Sequence, residues 1–289
     1  MTAMSEPRER NAVEKGTLYL VATPIGNLAD VSERAVKVLS ECDFVAAEDT
    51  RNSGLLLARL GMKRPMVSYH EHNRASAGPA IVERLKNGES CALVTDAGTP
   101  AISDPGEDLV RLCAAEGIRV VPVPGCCAAV SALSVSALRT RRFFFEGFLP
   151  VKGKERRERI AFVSSLPETV IIYEAPHRQR GTLGDLCEAF GEDRRASVCR
   201  ELTKLNEEVI RGTLGSIRDR FADDEPRGEF VLVIEGAPEV SSAASGKAPE
   251  ELVAEFVAAG MSEKDAIKAA AQALGVPKSE VYSAVKIRK

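Results

Sequence analysis

Few side chains in this sequence can move a proton, and they stand in groups. Glu48 and Asp49 are adjacent in Ala46-Ala47-Glu48-Asp49-Thr50-Arg51, directly after a short apolar run. Neighbouring side chains on extended chain point to opposite sides, so one carboxylate can face a substrate while the other serves structure. Equally, Asp49 can cap the next helix and pair with Arg51. Asp104, in Ile102-Ser103-Asp104-Pro105-Gly106, offers the same two readings, because Asp-Pro-Gly is also a turn sequence. His70 and His72 flank Glu71 and precede Asn73. On an extended segment their rings share one side, which suits proton transfer or contact with ribose or phosphate. A metal needs more ligands than this pair, and no cysteine stands near, so no metal site is expected. The third histidine, His177, lies alone in Tyr173-Glu174-Ala175-Pro176-His177-Arg178, where a structural role is common.

These groups need a frame, and the chain alternates strand-like with helix-like runs, the pattern of α/β layers. In a first set, 17–22, 44–47, 66–68, 91–95 and 119–122 read as buried strands. Between them, 32–41, 54–60, 77–87 and 108–116 have apolar residues at helical steps. A second set has strands at 143–148, 170–174, 196–201, 208–211 and 230–235, with helices at 155–164 and 179–190. Several of these strands follow one another without a helix, which predicts a mixed sheet. The expected organisation is a tail over 1–16, an N-terminal α/β domain over 17–138 and a C-terminal α/β domain over 139–237. A Ser/Ala/Gly-rich linker at 238–248 then precedes a helix-turn-helix-like module at 249–289. In that module Ser262 and Ser279 stand as N-caps and Gly275 as a C-cap.

Three Gly/Pro-rich turns directly follow strands of the first set: Thr23-Pro24-Ile25-Gly26-Asn27, Asp96-Ala97-Gly98-Thr99-Pro100 and Pro124-Gly125-Cys126-Cys127-Ala128. Ligands of open α/β sheets bind beyond the carboxyl ends of strands, where such turns let backbone come close. Neither G-x-G-x-x-G nor a P-loop pattern is present. Composition narrows the classes further. The chain has 289 residues, is 44% hydrophobic and carries 39 basic against 42 acidic side chains. That is a globular protein with ample core, and neither a disordered chain nor a generic nucleic-acid coat. No apolar run approaches the ~20 residues of a membrane span. The seven cysteines form no C-x-x-C pair and fit free thiols in a reducing cytoplasm.

Charge is concentrated at one place. Positions 139–159 hold eight Arg or Lys against three Glu, a local balance of +5. Arg139, Arg141 and Arg142 precede the strand at 143–148. Lys152, Lys154, Arg156, Arg157 and Arg159 follow Gly147-Phe148-Leu149-Pro150. Mixtures of cations and aromatics bind phosphates and unstacked bases. The phenylalanines are expected to be mainly core, and the cations after Lys152 to meet RNA.

Taken together, residues 93–106 (LVTDAGTPAISDPG), TPIGNL at 23–28, AAEDTR at 46–51, YHEHN at 69–73, GFLP at 147–150 and YEAPHR at 173–178 closely resemble the small-subunit (16S) ribosomal RNA methyltransferase I family, within the tetrapyrrole methylase superfamily. The resemblance runs from about Gly16 to Gly236. It implies two α/β domains of tetrapyrrole methylase type with S-adenosylmethionine in the cleft between them, and 2′-O-methylation of a cytidine ribose in the decoding region of 16S rRNA on the 30S subunit. It also implies a homodimer, in the cytoplasm that the free thiols already suggest. Carried over by position, the cofactor-lining residues are Pro24, Gly98, Thr99, Pro100, Ile102, Cys127, Ala128, Tyr173 and Thr203. Tetrapyrrole members usually have an acidic residue where this chain has Thr99, which counts against a porphyrinoid substrate. For the methyl acceptor, Asp49, His70, Glu48 and Asp104 are the candidate catalytic groups. Arg51, His72, Asn73, Lys152, Lys154, Arg156, Arg157, His177 and Arg178 are the candidate RNA contacts. The alternatives are a tetrapyrrole or protein side chain as acceptor, or a ligand-sensing regulator that binds DNA through its last 45 or so residues.

Overall fold

The structure is a computed structural model and describes residues 12–222, 228–238, 247–274 and 276–286. Residues 1–236 form one compact unit and residues 237–289 another. The first unit holds two five-stranded sheets. β1 (Thr17–Val21), α1 (Glu33–Glu41), β2 (Phe44–Ala47), α2 (Thr50–Arg59), β3 (Met66–Ser68), α3 (Arg74–Lys86), β4 (Cys91–Val94), α4 (Gly106–Ala115) and β5 (Arg119–Val123) alternate along the chain. The strands lie in the order β3-β2-β4-β1-β5, all parallel. Parallel strands must be covered on both faces, and these are. Val21, Val45 and Val94 pack with Ala35, Val38 and Leu57 on one side. Leu18, Phe44 and Leu93 pack with Ile81, Leu85 and Leu109 on the other.

A short helix, α5 (Ala128–Val135), follows β5 directly. Periodicity hides it, because Ala128-Ala129-Val130-Ser131-Ala132-Leu133-Ser134-Val135 is small and apolar all round. Its buried residues Ala129, Ala132 and Leu133 pack on Ile171, Val231 and Val233 of the second sheet. The boundary expected at 138–139 therefore falls after the helix that covers this sheet.

The second sheet comprises β6 (Phe143–Phe148), α6 (Gly153–Ser164), β7 (Thr169–Glu174), α7 (Gln179–Phe190), β8 (Arg195–Arg200), β9 (Glu208–Thr213), α8 (Leu214–Arg220) and β10 (Phe230–Ile234). Its order is β6-β7-β10-β8-β9, parallel for β6 with β7 and antiparallel for the other pairs. A bulge interrupts β6: Phe145 pairs with Ile171 and Gly147 with Ile172, leaving Glu146 as the extra residue.

The second unit contains α9 (Pro249–Ala258), α10 (Glu263–Leu274) and α11 (Lys278–Lys286), closed over Leu252, Ile267, Ala270 and Val281. Ser262 caps α10, its hydroxyl accepting from Asp265 N at 3.2 Å. Most of the expected linker, Gly275, and Arg288 and Lys289 lie outside the described residues. Among those described, no helix is long and apolar enough to cross a membrane.

Candidate active site

The three Gly/Pro turns are fastened to one another. Thr23 N donates to Gly98 O at 2.9 Å and Gly98 N returns a bond to Thr23 O at 3.1 Å. Thr99 Oγ1 donates to the Cys126 carbonyl at 2.9 Å. Gly98 adopts φ +86, a left-handed conformation natural to glycine. Gly125 lies so close to β1 that a Cβ there would meet the Ala22 Cβ at 2.9 Å. The turns thus form one rigid floor beyond the carboxyl ends of β1, β4 and β5.

Above this floor lies a cavity of about 440 Å³, in the range of small-molecule sites. Ile25, Gly98, Thr99, Ile102, Cys127 and Ala128 line one part of it, and Phe148, Tyr173, Phe230 and Val231 of the second sheet another. Among the described residues, five carboxylates, those of Glu48, Asp96, Asp104, Glu174 and Glu229, line the cavity, and no Lys or Arg does. Glu229 is paired with Lys204 at 3.1 Å and Glu174 with Arg178 at 3.3 Å, so Glu48, Asp96 and Asp104, which make no ion pair among the described residues, are the carboxylates that favour a cation and oppose a phosphate.

The carboxylates are held differently. Glu48 Oε2 accepts from Thr95 Oγ1 at 2.8 Å, and among the described residues no donor is seen on its other oxygen. Asp104 Oδ1 accepts from Ala101 N at 3.0 Å and Gly106 N at 2.7 Å. Its Oδ2 is buried without a partner. Asp96 is occupied by Asp49 N and Asn52. Glu174 is fully covered; it accepts from Arg178 and from the Thr182 hydroxyl.

Asp49 is the N-cap of α2. Its Oδ1 accepts from Arg51 N at 2.8 Å, while the Arg51 guanidinium reaches Oδ2 at 2.8 Å. The bonds to Arg51 hold its carboxyl down to about 2, which makes a poor proton acceptor, and it does not line the cavity. The capping reading of Asp49 is therefore the one the structure follows, and Glu48 is the member of the pair that faces the cleft. His70 does not line the cavity either; its Nδ1 is buried without a partner, and its ring lies 6.0 Å from that of His72. The segment carrying both is a turn rather than extended chain. Asn73 closes that turn. Its Oδ1 accepts from His70 N at 2.8 Å and its Nδ2 donates to Ser68 O at 3.0 Å, so its amide is spent on backbone rather than offered to RNA.

Of the expected cofactor contacts, Gly98, Thr99, Ile102, Cys127, Ala128 and Tyr173 line the cavity, whereas Pro24, Pro100 and Thr203 do not. Thr203 instead packs against Gly26, at φ +66, with its hydroxyl buried and unpartnered. Sequence reasoning missed Asp96, Phe148 and Glu229. Asp96 stands in the second Gly/Pro turn, but no local signal brings Glu229, which precedes β10, to this cavity.

Two expected RNA contacts belong to the interior. Arg156 is 8% exposed and binds Asp185 at 2.8 Å, Thr182 at 2.9 Å and Pro150 O at 3.0 Å. Arg178 donates to Leu149 O at 2.8 Å and pairs with Glu174 at 3.3 Å. Both are braces for the Leu149-Pro150 segment, since guanidinium forks suit such multiple acceptors. Arg51, His72, Lys152, Lys154, Arg157 and His177 are exposed. Among the described residues, no cluster of His, Cys, Asp and Glu could hold a metal.

This fold and cleft define a class. Residues 17–218 match the tetrapyrrole (corrin/porphyrin) methylases. Diphthine synthase superposes with a TM-score of 0.61 at 15% identity, covering 76% of this chain and 90% of that one. Uroporphyrin-III C-methyltransferase from Thermus thermophilus, complexed with S-adenosyl homocysteine, does so at 0.56 and 16%, covering 76% and 97%. Nearer in sequence is ribosomal RNA small subunit methyltransferase I of Xylella fastidiosa, 46% identical over 92% of this chain and 98% of that protein. The Bacillus subtilis protein of the same name is 44% identical over 96% of each. The chain belongs to the ribosomal RNA small subunit methyltransferase I family, within the tetrapyrrole methylases.

Proposed function

We propose that this protein is an S-adenosylmethionine-dependent methyltransferase that 2′-O-methylates a cytidine in the decoding region of 16S rRNA, acting in the cytoplasm as a homodimer on the 30S subunit. The observation that carries the reading is the carboxylate-lined cleft in a chain of this family. A sulfonium cofactor is positively charged, and the cleft fits it. Ile25, Ile102, Cys127 and Val231 offer an apolar wall, and the unpartnered Asp104 Oδ2 awaits a donor. Bound there, the cofactor would supply an activated methyl group.

What the chain adds is positioning, which alone supplies much of the rate of such a transfer. Gly98, Thr99, Cys127 and Ala128 hold the cofactor, with backbone groups serving where Thr99 stands. Tyr173 is pinned for this task, its hydroxyl accepting from Ala129 N at 3.0 Å. Glu48 accepts the 2′-hydroxyl proton on its free oxygen while Thr95 holds the other. Lys152, Lys154 and Arg157, beyond Phe148, neutralise phosphates outside the acidic cleft, joined by Arg51, His72 and His177.

The test is transfer of labelled methyl from S-adenosylmethionine to purified 30S subunits, followed by digestion to nucleosides and mass spectrometry. 2′-O-methylcytidine is the expected product. Unlabelled RNA, despite measurable cofactor binding, would overturn the reading in favour of a small-molecule or protein acceptor.

A further inference from the structure

Phe148 is anomalous for a strand phenylalanine: it is 54% exposed, yet it lines the cleft. The bulge explains how it comes to lie there. In regular strand alternation Phe148 would face away from Phe145, into the core under α6 and α7. The extra residue, Glu146, shifts the count by one. Phe145 and Phe148 consequently share a face, and both meet Tyr173 edge-on, with centroids 5.0 and 5.6 Å away.

The arrangement is braced on every side. Glu146 is tucked under Arg159 by two bonds of 2.6 Å. Gly147 takes φ +73, and a Cβ there would meet Ser103 Oγ at 2.7 Å. Arg156 and Arg178 hold the carbonyls of Leu149 and Pro150 just beyond. Tyr173, the ring beneath, is fixed by its bond to Ala129 N. A bulge that re-aims one side chain beside a site is a functional device more often than a defect. Here it presents an aromatic surface to solvent at the mouth of a cleft.

The chemistry of the cleft limits what can use that surface. Its carboxylates repel phosphate, so an RNA acceptor has to enter as a nucleoside turned out of its strand, with its phosphates left outside. Unstacked bases are commonly received on aromatic side chains. Resting on the function proposed above, we infer that Phe148 is a nucleobase platform, stacking the everted target base so that its ribose hangs over the cleft.

The test compares Phe148→Ala, Phe148→Leu and Phe148→Tyr in the full chain, reading single-turnover methyl transfer to 30S subunits, 30S affinity, and S-adenosylmethionine affinity by calorimetry. Losing one base–aromatic stack lowers kcat/KM for 30S about 10- to 100-fold. That loss is expected for Ala and Leu, with Tyr within about threefold of wild type and cofactor affinity unchanged in all three. A Phe148→Ala enzyme as active as wild type would overturn the inference. So would a fall in cofactor affinity matching the fall in activity, since the ring would then serve the cofactor. A wild-type enzyme that leaves 30S RNA unlabelled overturns the proposed function, and with it the platform, and is recognised without any variant.

Discussion

At the scale of single residues, the adjacent pair Glu48 and Asp49 separates into two jobs. Asp49→Asn keeps an N-cap acceptor and loses only the pairing with Arg51. Methyl transfer is expected to stay within a few fold of wild type. Glu48→Gln keeps the bond from Thr95 and removes the charge, and should lower the single-turnover rate by about 10²-fold or more, with cofactor affinity by calorimetry preserved. The cap also has a pH signature. Asp49 is held from 3.8 down to about 2 by Arg51. Its contribution to α2 is therefore complete above about 4 and is lost as pH falls through about 2. Titration of the Asp49 carboxyl by NMR should show the low value in wild type and a return towards 3.8 in Arg51→Ala.

At the scale of elements, Arg156 and Arg157 are neighbours on α6 with opposite fates. Arg156→Ala strips bonds from Asp185, Thr182 and Pro150 O, and should cost about 2 kcal/mol or more, read as a lower melting temperature. Arg157→Ala, on the exposed face, should leave melting unchanged. Sequence could not separate them, because both sit in one basic run and burial depends on where α7 lies. The strands of both sheets were legible, since buried parallel strands are short apolar runs and their turns carry Gly and Pro. The mixed second sheet was legible too, from strands that follow one another without helices. α5 was not, lacking a polar face, and neither was α8, which has only seven residues. Within the site, the three turns were legible as strand-end turns, and residues of each line the cavity. The bulge at Glu146 was not, because register is set by the neighbouring β7 rather than by β6 itself.

At the scale of the whole molecule, charge is sorted rather than abundant. The chain is −3 overall, its cleft is lined by carboxylates, and exposed cations follow the rim residue Phe148 at Lys152, Lys154 and Arg157. Arg139, Arg141 and Arg142 adjoin the other end of β6, which five steps of about 3.3 Å place roughly 17 Å from Phe148. Under the function proposed above, a near-neutral protein organised this way would meet RNA by a few rim contacts, each releasing counterions. The slope of log affinity against log salt should then be modest, and it should shrink by about 0.7 for each single-strand phosphate contact removed. Measured for 30S subunits, Arg157→Ala is expected to flatten the slope by about that amount with cofactor affinity intact. Phe148→Ala should weaken binding at every salt concentration with the slope unchanged, because stacking releases no counterions. A slope unaltered by Arg157→Ala would place the phosphates elsewhere on the surface and reduce α6 to a solvated face.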